Sequence, residues 1–265
     1  MKVFISVDIE GCAGITHWDE ASKTHADYPE FREQMTREAI AAIEGAESAG
    51  GKEIWVKDAH SSGRNLITSM LPENIRLVRS WAGHPLCMVQ ELDESFDAVM
   101  MIGYHSAAGS EANSLAHTLS LDAAEIRING KPASEFTVHA LASSMLGVPT
   151  VFVSGDKGLM DDVEAANPHI GRCALKEGRG QSTVSMTPAA AVKAIRKGSA
   201  ASLAGGLQRC LLPVPERFNV EITYADPNLA CRHQHYPGME HIGRRTIRFE
   251  TANYLDVLRM LNYVT

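Results

Sequence analysis

Long hydrophobic runs are missing from this sequence. The apolar stretch Val3-Phe4-Ile5-Ser6-Val7 stops at Asp8, far short of the roughly 20 apolar residues that cross a bilayer. The expectation is therefore a chain that opens directly on its first strand, with no signal peptide and no membrane partner. Basic charge is also scarce: Lys plus Arg is 25 against 32 Asp plus Glu, a formal net charge of −7. Without a clustered positive footprint, a dedicated nucleic-acid binder is excluded. Cysteines are few and unpatterned: Cys12, Cys87, Cys173, Cys210 and Cys231 form no CxxC pair. An odd, scattered set argues against a disulfide framework or a thiolate zinc site, and for reduced thiols in a cytoplasmic protein. Internal repeats, low-complexity tracts and flexible linkers are absent as well. What remains is a 265-residue chain with 45% hydrophobic and 22% charged residues, ordinary for a globular protein and long enough for a sizeable core.

Short apolar runs alternate with longer helix-patterned stretches. Val3–Val7, Glu53–Lys57, Ala98–Ile102 and Thr150–Val153 are β-rich or continuously apolar, the pattern of strands covered on both faces. In Glu30–Ala49, Phe31, Met35, Ala39, Ile43 and Ala46 recur at helical spacing before Gly50-Gly51, which closes a helix. Ser134–Leu146 predicts another, opening at Ser134 and ended by Gly147 and Pro149. Strand and helix in alternation imply an α/β fold with a mainly parallel buried sheet flanked by helices. Glu125–Ile128 followed by Asn129-Gly130 predicts a strand entering a tight turn. Pro188–Leu203 and Ala252–Val264 are helical in pattern, Phe218–Tyr224 and Thr246–Glu250 alternate as strands, and Asp226–Arg245 is expected as a polar loop. These imply a smaller C-terminal α+β part over 161–265, packed on a domain over 1–160, with a soft boundary near residues 155–185.

Three of the buried strands run into metal-type ligands: Asp8-Ile9-Glu10, Asp58-Ala59-His60 and Gly103-Tyr104-His105. Residues i and i+2 of a strand point to the same side, so Asp8 with Glu10, and Asp58 with His60, present two ligands together. In a parallel sheet the carboxyl ends of the strands open on one edge, where ligands bind. A set of carboxylates and imidazoles without thiolate suits Zn²⁺, Mn²⁺ or Fe²⁺. Several carboxylates in one site suggest two metals sharing one of them, a template for water activation. Glu135, in the first turn of the Ser134 helix, is either a cap favoured by the helix dipole or a further ligand. His117 is a loop histidine whose spacing alone assigns it no role. Cys12, beside Glu10, is expected as a small buried side chain, not a ligand.

Taken together, Ser6-Val7-Asp8-Ile9-Glu10-Gly11, Asp58-Ala59-His60-Ser61, Gly103-Tyr104-His105, His117-Thr118 and Asn129-Gly130-Lys131-Pro132 ahead of Glu135 resemble the zinc-dependent D-aminopeptidase family. Its founding members are bacterial enzymes encoded with dipeptide-transport systems. The motifs match in order and spacing over roughly residues 3–160; the C-terminal part is similar in pattern only. The resemblance implies a binuclear site with two Zn²⁺ per chain, Asp8 bridging, Glu10 and His105 completing one metal, and His60 and Glu135 the other. It gives His117 as the catalytic histidine, described in the family as the nucleophile; general acid/base work or oxyanion stabilisation fits a mobile imidazole equally. Asp58 would then orient His60 or a bound water from behind the metal ligands. The substrate implied is a short peptide or amide with an N-terminal D-amino acid, and the assembly implied is a homodecameric ring.

Two other readings use the same residues. Two-metal exonucleases also place an Asp-x-Glu at a strand end, but their Mg²⁺ sites are Asp-rich and their surfaces meet polyanions, whereas His60, His105 and the acidic balance favour a peptidase. A non-catalytic metal-binding module is disfavoured because the ligand set leaves coordination positions open.

Overall fold

The computed structural model describes residues 1–265. Its strands are β1 (Lys2–Val7), β2 (Glu53–Asp58), β3 (Ile75–Val78), β4 (Ala98–Tyr104), β5 (Ala123–Ile128), β6 (Lys131–Pro132), β7 (Thr150–Asp156), β8 (Gly171–Arg179), β9 (Ser182–Ser185), β10 (Phe218–Tyr224), β11 (Met239–Gly243) and β12 (Thr246–Thr251). Its α-helices are α1 (Trp18–Ala21), α2 (Tyr28–Ser48), α3 (Glu135–Met145), α4 (Lys157–Ala166), α5 (Pro188–Ser202), α6 (Pro227–His233) and α7 (Tyr254–Val264).

Seven strands form the larger sheet in the order β3-β2-β1-β4-β7-β8-β9. Every pairing in it is parallel except the β8–β9 hairpin. Phe4, Ile5, Val7, Val99 to Ile102 and Val151 to Val153 are buried, because layers of structure cover both faces of the sheet and leave no solvent side for alternation. From β1 the chain builds outward to β2 and β3, and from β4 outward in the other direction. The strand order therefore reverses between β1 and β4, and a crevice opens at their carboxyl ends. Asp8 and His105 lie just beyond those two ends.

The smaller sheet is antiparallel, in the order β11-β12-β10-β5-β6. Its β5–β6 turn is the expected Asn129-Gly130, with both residues at positive φ (51° and 77°), the geometry a two-residue hairpin demands. The sheets interleave along the chain: the larger takes β8 and β9 from beyond residue 160, and the smaller takes β5 and β6 from before it.

The stretch Asp226–Arg245 is not a plain loop. Asp226 caps α6 through Asn228 N–H, Pro227 occupies its first turn, and β11 follows as an exposed edge strand. His233 ends the short helix, His241 lies on the edge strand and His235 in the turn between them, where solvent replaces the apolar periodicity that pattern reading needs,. No helix is long and apolar enough to cross a membrane.

Candidate metal centre

Close contact between the ends of β1 and β4 builds the centre. Asp8 N–H donates to Ile102 O at 2.8 Å, and Gly11 N–H to Gly103 O at 2.8 Å. A Cβ on Gly11 would lie 1.8 Å from Tyr104 O, and one on Gly103, whose φ is +71°, would lie 2.3 Å from Asp8 O. Only glycine permits both approaches. The turn after β1 therefore folds directly onto β4, placing Asp8 and Glu10 against His105.

His60 arrives from the end of β2. Its Nε2 lies 2.8 Å from Ala21 O; a carbonyl only accepts, so Nε2 carries the proton in the neutral ring and Nδ1 is left with its lone pair. That Nδ1 is 3.0 Å from Glu10 Oε2 and 3.4 Å from Asp8 Oδ1. His105 is arranged the opposite way round. Its Nδ1 faces Ser106 O at 2.9 Å, and Nε2 lies 3.2 Å from Glu135 Oε2 and 3.5 Å from Asp8 Oδ2.

Glu135 is not the helix cap. Ser134 caps α3, accepting from Thr137 N–H, and Thr137 completes the capping box. Glu135 instead turns into the cluster, where Oε1 accepts from Leu119 N–H at 2.8 Å and lies 3.5 Å from His117 Nε2. His117 is held by Nδ1 against Leu115 O at 3.0 Å. Its ring stands between His105 and the indole of Trp18, stacked on the first and edge-on to the second.

All five predicted ligands are therefore brought together and buried, with His117 beside them. The nearest approaches pair His60 with Glu10 and His105 with Glu135, one pair on each oxygen of Asp8. The resemblance divides them differently, Glu10 with His105 and His60 with Glu135. Donor atoms of Asp8, Glu10 and His105 also lie within 4.8 Å of one another, as do those of His105, His117 and Glu135. Cys12 is fully buried and donates its thiol to Asp8 O; it contributes no ligand atom.

Three atoms here are buried without a hydrogen-bond partner: Asp8 Oδ2, Glu10 Oε2 and His105 Nε2. Buried polar atoms are normally satisfied, and an orphan signals a missing ion or water. Oxygen and nitrogen lone pairs converging at 3.0–3.5 Å without hydrogen-bond geometry form the donor set of a divalent transition-metal site,. Electrostatics agree. Burial, then the neighbouring Glu10, pushes the Asp8 carboxyl well above its usual range. Burial would do the same to Glu135, but His105 and His117 hold it at about 2. Burial opposes charge on His105 too, yet the Glu135 carboxylate beside it raises the imidazole to about 10.

Asp58 does not reach the His60 imidazole. Its carboxylate accepts from Asn65 N–H, Asn65 Nδ2 and Leu66 N–H, and Asn65 in turn donates to His60 O at 2.6 Å. It fixes the loop that carries His60, and so acts on the ring through the backbone.

Several supporting residues escaped sequence reading. Lys176 on β8, almost wholly buried, donates to Glu10 O and Ile15 O, both at 2.5 Å. Asn113 donates to Glu10 O and Asp156 Oδ2, and Asp156 also accepts from Ser106 N–H. The loop between His105 and His117 is thereby pinned against the turn that bears Glu10. Trp18 and Lys23 line the cleft of about 800 Å³ above the cluster. A buried lysine on β8, three strands along the sheet from β1, has no local pattern; only the position of Asp156 at a strand end resembled the other ligand-bearing ends.

Fold and cluster define a class: an α/β protein with carboxylate and imidazole ligands for divalent metal at the switch point of its sheet. Within that class, the chain belongs to the D-aminopeptidase family, peptidase family M55, whose family model matches residues 1–263. It is 28% identical to a D-aminopeptidase of Bacillus subtilis strain 168, an alignment covering 100% of this chain and 97% of that one. Among solved structures it resembles the Zn-dependent D-aminopeptidase DppA from Bacillus subtilis, a self-compartmentalizing protease, with a TM-score of 0.92 at 25% identity. That match covers 100% of this chain and 96% of the other. The peptidase assignment made on the motifs stands, and family membership sets aside the exonuclease and the non-catalytic module.

Proposed function

We propose that the chain is an aminopeptidase that releases N-terminal D-amino acids from short peptides and amides, using two zinc ions per chain. The observation that carries this is the trio of orphaned buried atoms on Asp8, Glu10 and His105. In this reading Asp8, Glu10, His60, His105 and Glu135 would together hold the two ions, with the central Asp8 placed to be shared between them. Bound zinc supplies Lewis acidity toward the peptide carbonyl and makes water nucleophilic near neutral pH.

The protein's own groups supply the rest. Nδ1 of His117 is committed to Leu115 O, so Nε2 is the nitrogen free to take or deliver a proton at the cleft,. That Nε2 lies 3.5 Å from Glu135 Oε1. We assign His117 this acid/base role because a ring stacked on His105 is held in place for proton transfer. The Trp18 indole packs edge-on against the same ring. Asp58, through Asn65, holds His60 in register.

Two similarities support a homo-oligomer, and a decamer in particular: the self-compartmentalizing relative and the family resemblance. The scattered free thiols support a cytoplasmic location. The test of function is turnover of zinc-loaded protein on paired D- and L-dipeptides. Release of the N-terminal residue from the D series supports the reading; cleavage confined to the L series, or none, refutes it.

A further inference from the structure

Beside His60 the cleft carries an indole that neither the ligand set nor the acid/base role uses. Trp81 lines the cleft and is 36% exposed. Its Nε1–H donates to Ser61 O at 2.6 Å, and Ser61 directly follows the ligand His60. Lys57, wholly buried, lies against one face of the ring with Nζ 3.7 Å from its centroid. That Nζ donates to Asp58 O and Ser80 O, and the indole face completes the surroundings of a buried cation. Burial lowers the Lys57 pKa to about 8, so the group stays mainly charged at neutral pH. Backbone strain gathers at the same place. Of the six non-glycine residues with positive φ, Ser61 (45°), Cys87 (43°) and Leu119 (64°) line the cleft, and Ser80 (62°) precedes Trp81. Such conformations persist only where their surroundings enforce them, and they cluster at ligand sites. Ser80 N–H donates to Gly63 O at 2.7 Å, which together with the Trp81–Ser61 bond fixes the indole relative to His60.

We propose that Trp81 is the platform for the side chain of the substrate's N-terminal residue and selects apolar side chains over cationic ones. The proposal rests on the aminopeptidase reading and adds the class of side chain it accepts. Sidedness follows from the cluster: His60 stands at one end, beside Glu10, and His117 at the other, beside Glu135. The departing amine takes its proton from His117, so the peptide beyond the cut bond lies at that end. The N-terminal residue then lies at the His60 end, against Trp81. An apolar side chain stacked there leaves water on a surface already held in place, which spares the cost of ordering it. Ala59 and Met88, which also line the cleft, extend the apolar surface. A cationic side chain gains no such contact, because the ring already carries the Lys57 charge on its buried face, and like charges repel across it,.

The experiment measures kcat and KM of zinc-loaded wild type, Trp81→Ala and Trp81→Phe on D-Leu-Gly, D-Lys-Gly and D-Ala-Gly, with zinc content determined for each protein. Wild type should favour D-Leu over D-Lys about tenfold or more in kcat/KM, the scale of apolar side-chain discrimination. In Trp81→Ala the D-Leu value should fall about fivefold or more relative to the D-Ala value, through KM. Trp81→Phe keeps a flat ring and should retain most of the D-Leu preference. Equal wild-type values for D-Leu and D-Lys overturn the platform while leaving the peptidase reading intact, and they do so even if Trp81→Ala fails to fold. An equal fall on D-Leu and D-Ala in Trp81→Ala, or no fall on D-Leu, overturns it as well. Failure of the wild type to release any of the three D-residues overturns both.

Discussion

The imidazoles of His105 and His117 stack face to face, with centroids 4.3 Å apart and planes 10° from parallel. Their Nε2 atoms approach different oxygens of the same carboxylate, Glu135 Oε2 at 3.2 Å and Oε1 at 3.5 Å. One histidine is wholly buried and the other borders the cleft. Glu135 thus joins the buried end of the cluster to the cleft, and its place at the start of α3 adds the helix dipole to the forces that keep it ionised,.

If His117 works on protons and not on metal, His117→Ala should keep the full metal content of wild type. Turnover should fall about a hundredfold or more, the scale of a positioned acid/base. Metal analysis and a D-dipeptide assay on one preparation check this. Loss of metal together with activity would make His117 a ligand, and near-normal turnover would end its catalytic assignment.

Lys176 should matter for both stability and metal retention. Lys176→Met removes two hydrogen bonds, leaving Ile15 O without its side-chain partner and Glu10 O with Asn113 alone, a cost of about 1–3 kcal/mol,. Denaturant midpoints measure that loss. Because the clamp on the Glu10 turn is gone, metal affinity in competition with a chelator should weaken about tenfold or more. Unchanged midpoint and affinity would show that the turn holds its shape unaided.

His139 on α3 gives an acid-sensitive element outside the ligand set. It is fully buried, with Nδ1 on Glu135 O at 2.7 Å and Nε2 accepting from Met88 N–H. Burial lowers its pKa to about 4 from an ordinary 6.5. The unfolded chain therefore binds the proton first as pH falls from 6.5, and folded stability is lost progressively down to about pH 4. The full effect is about 3 kcal/mol. In chelator-treated protein, His139→Asn should flatten this limb of the stability–pH curve relative to wild type. Parallel curves would show that other groups govern acid unfolding.

The parallel core was legible because its strands are continuously apolar and its helices keep a 3.6-residue period. The clustering of Asp8, Glu10, His60 and His105 followed from strand ends opening on one edge, which is local geometry joined to one rule of topology. Glu135 could not be divided between cap and ligand from sequence, since both uses favour an acid in the first turn; the presence of Ser134 and Thr137 as a complete cap decides it. The pairing of histidines with carboxylates was not legible, because it depends on how β1 and β4 approach through Gly11 and Gly103. Lys176 and Asp58 act through backbone carbonyls and loop N–H groups that no side-chain pattern records. The edge strand β11 and short helix α6 lacked periodicity because most of their side chains face water.

The central claim is that Asp8 spans two metal ions. A crystal structure of zinc-loaded protein with anomalous scattering at the zinc edge tests it most directly. Two peaks per chain are expected, both within the cluster of Asp8, Glu10, His60, His105 and Glu135. In Asp8→Ala both should vanish. A single peak in the wild type, or two peaks surviving in Asp8→Ala, would contradict the account.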